Sequence, residues 1–121
     1  ILGAKMAEHG ANAYLVNTGW SGGSHGVGAR MSLSVTRQII DAIFDGSIEK
    51  ADFESFPVFG FSVPKQLGGI DSKVLGAKET WKDQSEFTAA LSKLALMFQD
   101  NFKKYTDTAA GKELEKHGPQ L

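Results

Sequence analysis

The chain has 121 residues, 41% of them hydrophobic, a formal net charge of −1 and no cysteine. This length and composition suit one globular domain, and the near-neutral charge argues against a nucleic-acid-binding surface. The lack of cysteine excludes disulfides and thiol catalysis, and no apolar run approaches the length that crosses a bilayer. Because the chain begins Ile1-Leu2-Gly3, without methionine and inside a predicted helix, we expect a fragment of a longer protein.

The first predicted elements are the end of a helix and a strand. Apolar spacing predicts a helix over 1–9, and Gly10 is suited to the left-handed residue that follows a helix. The run Ala13 to Asn17 begins with four apolar residues, which is typical of a strand covered on both faces. We therefore predict a buried strand that enters the next loop.

That loop contains five glycines, which are Gly19, Gly22, Gly23, Gly26 and Gly28. A glycine-rich loop between a strand and a helix start suits an anion or a nucleotide. The loop nevertheless lacks the Lys and Ser/Thr of a phosphate-binding P-loop and the third glycine of a dinucleotide-binding loop. A flexible surface connection is the alternative. We interpret Trp20 as a hydrophobic lid at the loop base and His25 as an exposed loop residue.

A helix over Val35 to Asp45 follows, with Ser34 as its predicted N-cap and Gly46 as its stop. Its predicted apolar stripe consists of Val35, Ile39, Ile40, Ile43 and Phe44. Arg30 and Thr36 flank the start of this helix. Together they could hold a planar, polar ligand, by guanidinium stacking and one hydroxyl hydrogen bond. The alternatives are a solvated charge for Arg30 and helix capping for Thr36.

The second half is predicted to contain one strand and mainly helix. After a polar connection over 47–56, period-two alternation predicts a strand over Val58 to Val63, bracketed by two prolines as in an edge or a short ribbon. A loop is predicted over 65–78, with a short turn at 72–75. Residues 80–83 resemble a capping box that opens the longest helix, to about Tyr105. Its apolar stripe, which indicates packing, is Phe87, Leu91, Leu94, Ala95, Phe98 and Phe102. A short helix is predicted over Thr108 to Lys116.

Several stretches resemble the ATP-dependent phosphoenolpyruvate carboxykinases. They include NTGW at 17–20, TRQIIDAI at 36–43, the spaced FxxxVPxxL at 59–67, and TWKDQSEF at 80–87. The resemblance covers essentially the whole chain and corresponds to the C-terminal region of that family. It implies a mixed α/β fold in which residues 1–121 are an incomplete part of the C-terminal, ATP-binding domain.

The resemblance also implies an activity and a site. The family converts oxaloacetate and ATP to phosphoenolpyruvate, ADP and CO₂ with Mg²⁺ and Mn²⁺, in the cytoplasm and in gluconeogenesis. Arg30 and Met31 match residues that contact the adenine portion of ATP, and Thr36 matches a threonine that contacts the base. The GGSHGVG loop is the longer form of a loop that is shorter in many members.

No catalytic residue and no metal ligand of the family falls in this segment. The phosphate-binding loop, the metal ligands and the arginines that grip oxaloacetate all belong to parts that would precede Ile1. We therefore expect the isolated fragment to be inactive and to self-associate through exposed apolar surface. The alternatives are a free-standing, non-catalytic interaction module with the Phe-rich helix as its partner face, and an autonomous small nucleotide binder.

Overall fold

The chain forms a mixed arrangement of five helices and two small antiparallel ribbons within the residues described by the computed structural model, 2–23 and 26–121. Ile1 and the predicted exposed position of His25 lie outside these residues. The mixed α/β class predicted from the sequence is confirmed. In the described part of the chain, no helix combines the length and the apolar character that a membrane crossing requires.

The first helix, α1, covers Leu2–His9 and ends as predicted at Gly10, whose φ is +60°. The strand predicted at Ala13 to Asn17 is wrong, since these residues belong to no regular element and Leu15 is 88% exposed. A strand exists only when a neighbouring strand pairs with its backbone. The described part of this chain provides no such neighbour for the segment.

The glycine-rich loop connects two short strands instead of joining a strand directly to a helix. Strand β1 covers Trp20–Ser21 and strand β2 covers Ala29–Arg30. They are antiparallel, with Trp20 opposite Arg30 and Ser21 opposite Ala29. The predicted order of strand, loop and helix is therefore corrected to a hairpin followed by a helix.

Helix α2 covers Leu33–Phe44 and starts two residues earlier than predicted. Its N-cap is Ser32, whose hydroxyl oxygen accepts a hydrogen bond from the Val35 amide at 3.2 Å. The prediction of Ser34 in that role is wrong, because Ser34 already has its place inside the first turn. Gly46 follows the helix with a φ of +74°, as its predicted role requires.

One face of α2 forms the main apolar core. The buried residues of this core are Ala42, Ile48, Leu67 and Ile70. The partly buried residues packed against them are Val35, Ile39, Ile43 and Leu75. The predicted stripe is thus right for three residues and wrong for Ile40 and Phe44, which are exposed. The buried face turns toward the following 3₁₀ turn, Ser47–Lys50, and toward the loop of Leu67 and Ile70.

A second ribbon pairs β3, Phe53–Ser55, with β4, Ser62–Pro64. The register sets Phe53 opposite Pro64 and Ser55 opposite Ser62. The strand predicted at Val58 to Val63 is therefore displaced, and β3 was not predicted. A turn occupies residues 57–59, and Val58 has a φ of +69° there, which is rare for a β-branched residue. The prediction of a short ribbon at this place is confirmed.

Helix α3 covers Ser72–Leu75, at the predicted turn, and the longest helix, α4, covers Gln84–Phe102. The N-cap of α4 is Asp83, so the predicted box starting at Thr80 is wrong. The Asp83 carboxylate accepts bonds from the amides of Ser85 and Glu86 at 2.7 and 3.2 Å. A 3₁₀ turn at Lys103–Tyr105 extends α4 to the predicted end.

Aromatic rings join the second ribbon to α4. Phe87 contacts Trp81 and Phe56 edge-on, with ring centroids 5.8 and 6.4 Å apart. Phe59 contacts Phe98 in the same manner at 5.7 Å. Phe87 and Ala95 are buried, whereas Leu94 and Phe98, which share the predicted stripe, are about half exposed.

The chain ends against these elements. Helix α5 covers Ala109–Glu115, within the predicted range of Thr108 to Lys116, and its N-cap is Thr108. The side-chain amide of Gln99 donates to the carbonyl of Pro119 at 2.8 Å. The backbone amide of Gln120 donates to the carbonyl of Val58, also at 2.8 Å. The C-terminal residues therefore connect α4 to the turn of the second ribbon.

The cap of α4 makes its helix content depend on pH. Hydrogen bonds from the Ser85 side chain and amide, and from the Glu86 amide, lower the pKa of Asp83 below its ordinary 3.8. Because the pKa of Asp83 is lower in the folded helix than in the unfolded chain, the ionised carboxylate stabilises the helix at pH values above the unfolded pKa. This contribution disappears as the pH falls through the folded pKa. In a peptide of residues 81–105, we expect Asp83→Asn to reduce helicity at neutral pH. The difference from wild type should vanish in acid.

Circular dichroism of both peptides across the acid range measures this difference. Asn keeps the acceptor oxygen and removes only the charge, so the comparison isolates the ionised carboxylate at the helix N-terminus. Parallel curves with a constant gap down to the most acidic point would contradict the assignment.

Candidate functional site

The three residues predicted to contact a nucleotide base lie at one junction between β2 and α2. Arg30 ends β2, Met31 follows it, and Ser32 caps the helix that carries Thr36. The amide of Met31 donates to the carbonyl of Gly19 at 3.0 Å. This bond closes the hairpin base directly beside the helix N-terminus, so the junction has a defined backbone path.

Ser32 also connects the junction to Thr36. Its carbonyl accepts the Thr36 amide at 3.1 Å and the Thr36 hydroxyl at 3.2 Å. The Thr36 hydroxyl therefore donates its proton to the backbone at the start of the helix, which agrees with the alternative that Thr36 caps the helix. The two lone pairs of the Thr36 oxygen remain available, so this half-buried hydroxyl can accept a further hydrogen bond.

Arg30 is exposed, and Met31 beside it is half-buried. Among residues 2–23 and 26–121, no carboxylate forms an ion pair with Arg30. An exposed guanidinium with no such partner is available to stack on a planar ring or to bind an anion. The polarizable thioether of Met31 suits contact with an aromatic ring edge. The junction therefore combines a cation, a soft apolar group and a hydrogen-bond acceptor.

The glycines of the loop allow the hairpin to close tightly. A Cβ atom on Gly28 would lie 2.5 Å from the Ser21 carbonyl oxygen and 2.8 Å from that of Gly23. Gly22 has a φ of +80° and faces a backbone carbonyl of a distant segment. These glycines satisfy steric demands of the protein itself. The close contacts of Gly22 and Gly28 are those of a tightly closed hairpin. The sequence pattern had instead indicated a loop that binds an anion or a nucleotide.

Trp20, the predicted lid, is directly opposite Arg30 in the ribbon and is about half exposed. Its role as a lid stays a prediction.

A separate surface cleft of about 600 Å³ lies between the Ser47–Lys50 turn, the base of the second ribbon and the loop before α3. Lys50 and Lys65 contribute to its walls, and none of the three predicted site residues does.

The part of the chain that the structure describes assembles no ligand set for a divalent cation. In the described ranges, no three His, Asp or Glu side chains come together in a way that could hold a metal ion. The side chains in these ranges therefore do not fit a metal centre.

Sequence reasoning missed two residues that shape the site. Ser32 was overlooked because Ser34 is an equally good capping residue two positions later. Ser21 was overlooked because its partner, Thr80, is 59 residues away, at 3.0 Å between the two hydroxyl oxygens. The position of Ser32 just before the helix is a local signal for its capping role. No local spacing indicates the contact between Ser21 and Thr80.

Similarity to known proteins extends over the whole chain. A family model described as phosphoenolpyruvate carboxykinase matches residues 1–73. A phosphoenolpyruvate carboxykinase (ATP) of Campylobacter jejuni is 51% identical over 121 residues, covering 100% of this chain and 23% of the relative. The same-named proteins of Candida glabrata and Leptospira biflexa are 47% and 43% identical over 100% and 98% of the chain, and 22% of each relative. The chain thus spans about a quarter of the length of these relatives.

The close packing at Gly28 yields a test of the hairpin. We expect Gly28→Ala to open it, because the new methyl group would overlap two backbone oxygens, a clash that typically costs about 1–3 kcal/mol. Amide hydrogen exchange of residues 20–31 in the intact protein should accelerate about tenfold or more.

Gly19→Ala is the matched control within the same hairpin. Its Cβ atom would meet only the Asn17 side-chain oxygen, at 3.3 Å, which is a milder contact than the two backbone overlaps at Gly28. Equal exchange rates in the two variants would refute the packing described for Gly28.

Proposed function

The chain belongs to the ATP-dependent phosphoenolpyruvate carboxykinase family, and on that basis we propose that it is the segment that orients the adenine base of ATP. The complete protein would convert oxaloacetate and ATP to phosphoenolpyruvate, ADP and CO₂, as a cytoplasmic enzyme of gluconeogenesis. The observation that carries the proposal is the strand-to-helix junction. It joins Arg30 and Met31, at the end of a closed hairpin, to the first turn of the helix that carries Thr36.

The chemistry of the junction suits a purine. The exposed guanidinium of Arg30 can lie over the ring, where cation–π attraction contributes about 0.5–2 kcal/mol. Met31 supplies apolar contact beside it. The Thr36 oxygen, whose proton is donated to the Ser32 carbonyl, can only accept. An acceptor at this point pairs with an amino group on the base, as adenine has, and not with a carbonyl oxygen.

The reaction itself is assigned to other parts of the complete protein. Phosphoryl transfer requires positioned phosphates and cations, and the described residues assemble no metal ligand set. In this proposal, Mg²⁺ and Mn²⁺, the oxaloacetate site and the phosphate-binding loop lie outside residues 1–121. The segment contributes by fixing the base, which in turn fixes the direction of the triphosphate.

The surface of the chain supports its assignment as part of a larger domain. Its accessible area is 9099 Å², whereas the size scaling of folded monomers gives about 6,300 Å² for this mass. Large apolar side chains contribute to this exposed area, including Leu15, Phe44 and a patch on α4 formed by Leu94, Met97 and Phe98, which lie at helical spacing on one face. The backbone of 13–16 also enters no regular element. We propose that the remainder of the carboxykinase covers these groups.

We expect Arg30→Ala in the full-length enzyme to raise the KM for ATP by about 2- to 30-fold, the range that corresponds to loss of one cation–π contact. The KM for oxaloacetate should stay within experimental error. Steady-state kinetics with each substrate varied in turn measures both values.

Arg37→Ala is the control for this experiment. It removes the same charge from an exposed position on α2, seven residues later. An unchanged KM for ATP in Arg30→Ala, or an equal increase in Arg37→Ala, would defeat the assignment of Arg30 to the base.

The isolated 121-residue chain should associate with itself and melt without a sharp transition, because its apolar patches lack their cover. Size-exclusion chromatography with light scattering, followed by a thermal melt, measures both properties. A monodisperse 13.0 kDa monomer with cooperative unfolding would instead favour the second candidate. That candidate is a free-standing interaction module that uses the exposed α4 patch as its partner face.

A further inference from the structure

The glycine-rich hairpin is fastened to a segment far along the chain. The Ser21 hydroxyl donates to the Thr80 hydroxyl oxygen at 3.0 Å. Thr80 in turn donates its own proton to the Ala77 carbonyl at 2.7 Å. The direction of both bonds is therefore determined, and Thr80 offers the hairpin an acceptor held in place by the turn Lys78–Thr80.

A second contact fits the hairpin against the same residue. A Cβ atom on Gly22 would lie 2.6 Å from the Thr80 carbonyl oxygen and 3.7 Å from its Cβ atom. The hairpin backbone thus approaches Thr80 as closely as a glycine allows. Side-chain hydrogen bonding and backbone packing act at neighbouring positions, 21 and 22, and both involve Thr80.

The ribbon depends on such external support. Each of its strands has two residues, and a two-stranded hairpin in isolation is marginally stable at best in water. Ser21 is opposite Ala29, the residue directly before Arg30. A shift of Ser21 would therefore shift the strand that ends at Arg30.

We propose that Ser21 and Thr80 are positioning residues for the nucleotide. Their hydrogen bond holds the hairpin where Arg30 and Met31 meet the adenine base, while neither residue is assigned a contact with the base itself. This inference rests on the proposed function of the junction. It adds that the geometry of the base contact is determined by a residue in the second half of the chain.

The test uses the full-length carboxykinase. Thr80→Val keeps the shape of the side chain and removes the acceptor. We expect it to raise the KM for ATP by about 2- to 10-fold, the equivalent of one net hydrogen bond, with kcat and the KM for oxaloacetate unchanged. Ser21→Ala should have the same effect. The double variant should be no worse than either single one, since both remove the same bond. Thr80→Ser should restore the wild-type KM.

Thr106→Val is the matched control. Thr106 is half-buried, and its hydroxyl donates to the carbonyl three residues earlier, Lys103, at 2.8 Å, just as Thr80 donates to Ala77. It lies outside the hairpin contact, so its replacement should leave the KM for ATP unchanged. Hydrogen exchange of residues 20–31 supplies a second measurement. We expect it to accelerate in Thr80→Val and Ser21→Ala and not in Thr106→Val.

The outcomes separate the two proposals. If Arg30→Ala raises the KM for ATP while Ser21→Ala and Thr80→Val do not, the positioning role is overturned and the base contact stands. If Arg30→Ala leaves that KM unchanged, the proposed function fails first. A parallel rise of the KM values for both substrates, together with a lower melting temperature, would show that the Ser21–Thr80 bond contributes only to overall stability. That result would overturn its specific role in positioning the nucleotide. Should Thr80→Val not fold, Ser21→Ala decides the matter from the hairpin side.

Discussion

The capping of α2 by Ser32 is the interaction on which the candidate site depends. One residue supplies two oxygens, with its hydroxyl oxygen accepting the Val35 amide and its carbonyl accepting the amide and hydroxyl of Thr36. Ser32 itself has the extended conformation of a capping residue, with φ −68° and ψ 146°. The chain therefore changes from strand to helix within two positions, Met31 and Ser32. Arg30 and Met31 precede that change and Thr36 follows it, which is why three residues with different chemistry occupy so short a stretch.

Packing divides the chain into a well-supported centre and groups that lack cover. The centre is the face of α2 against Ile48, Leu67 and Ile70, and a separate set of aromatic contacts surrounds Phe87. Outside it, large side chains such as Phe44 meet solvent, with 86% of that residue exposed. A fold whose hydrophobic driving force is used on only part of its apolar surface is suited to docking against something larger. The proposed place of the segment inside a carboxykinase accounts for this imbalance.

Much of the fold was predictable, because some signals are local. The buried positions Phe87 and Ala95 of α4, the glycine after α1 and the short helix at 109–115 follow from spacing and capping within a few residues. The errors arise where the sequence leaves more than one arrangement open, either between neighbouring capping residues or through contacts with distant residues. Ser32 or Ser34 can cap a helix equally well, and so can Thr80 or Asp83. Residues 13–17 have the composition of a strand, yet no described strand pairs with them. For the site, Arg30, Met31 and Thr36 came from family resemblance, while the Thr80 contact had no signal in the sequence.

The bond between Ser21 and Thr80 also sets an order of events during synthesis. At roughly 5–20 residues per second, about 3–12 seconds separate the appearance of Ser21 from that of Thr80 at the ribosome. During that interval the hairpin has its own short ladder and no anchor. The loop to be closed is long, although the entropy of closure rises only slowly with its length. Under the proposed function, the junction would then reach its final position only after most of the segment has been made, and the adenine base would have no finished site before that point.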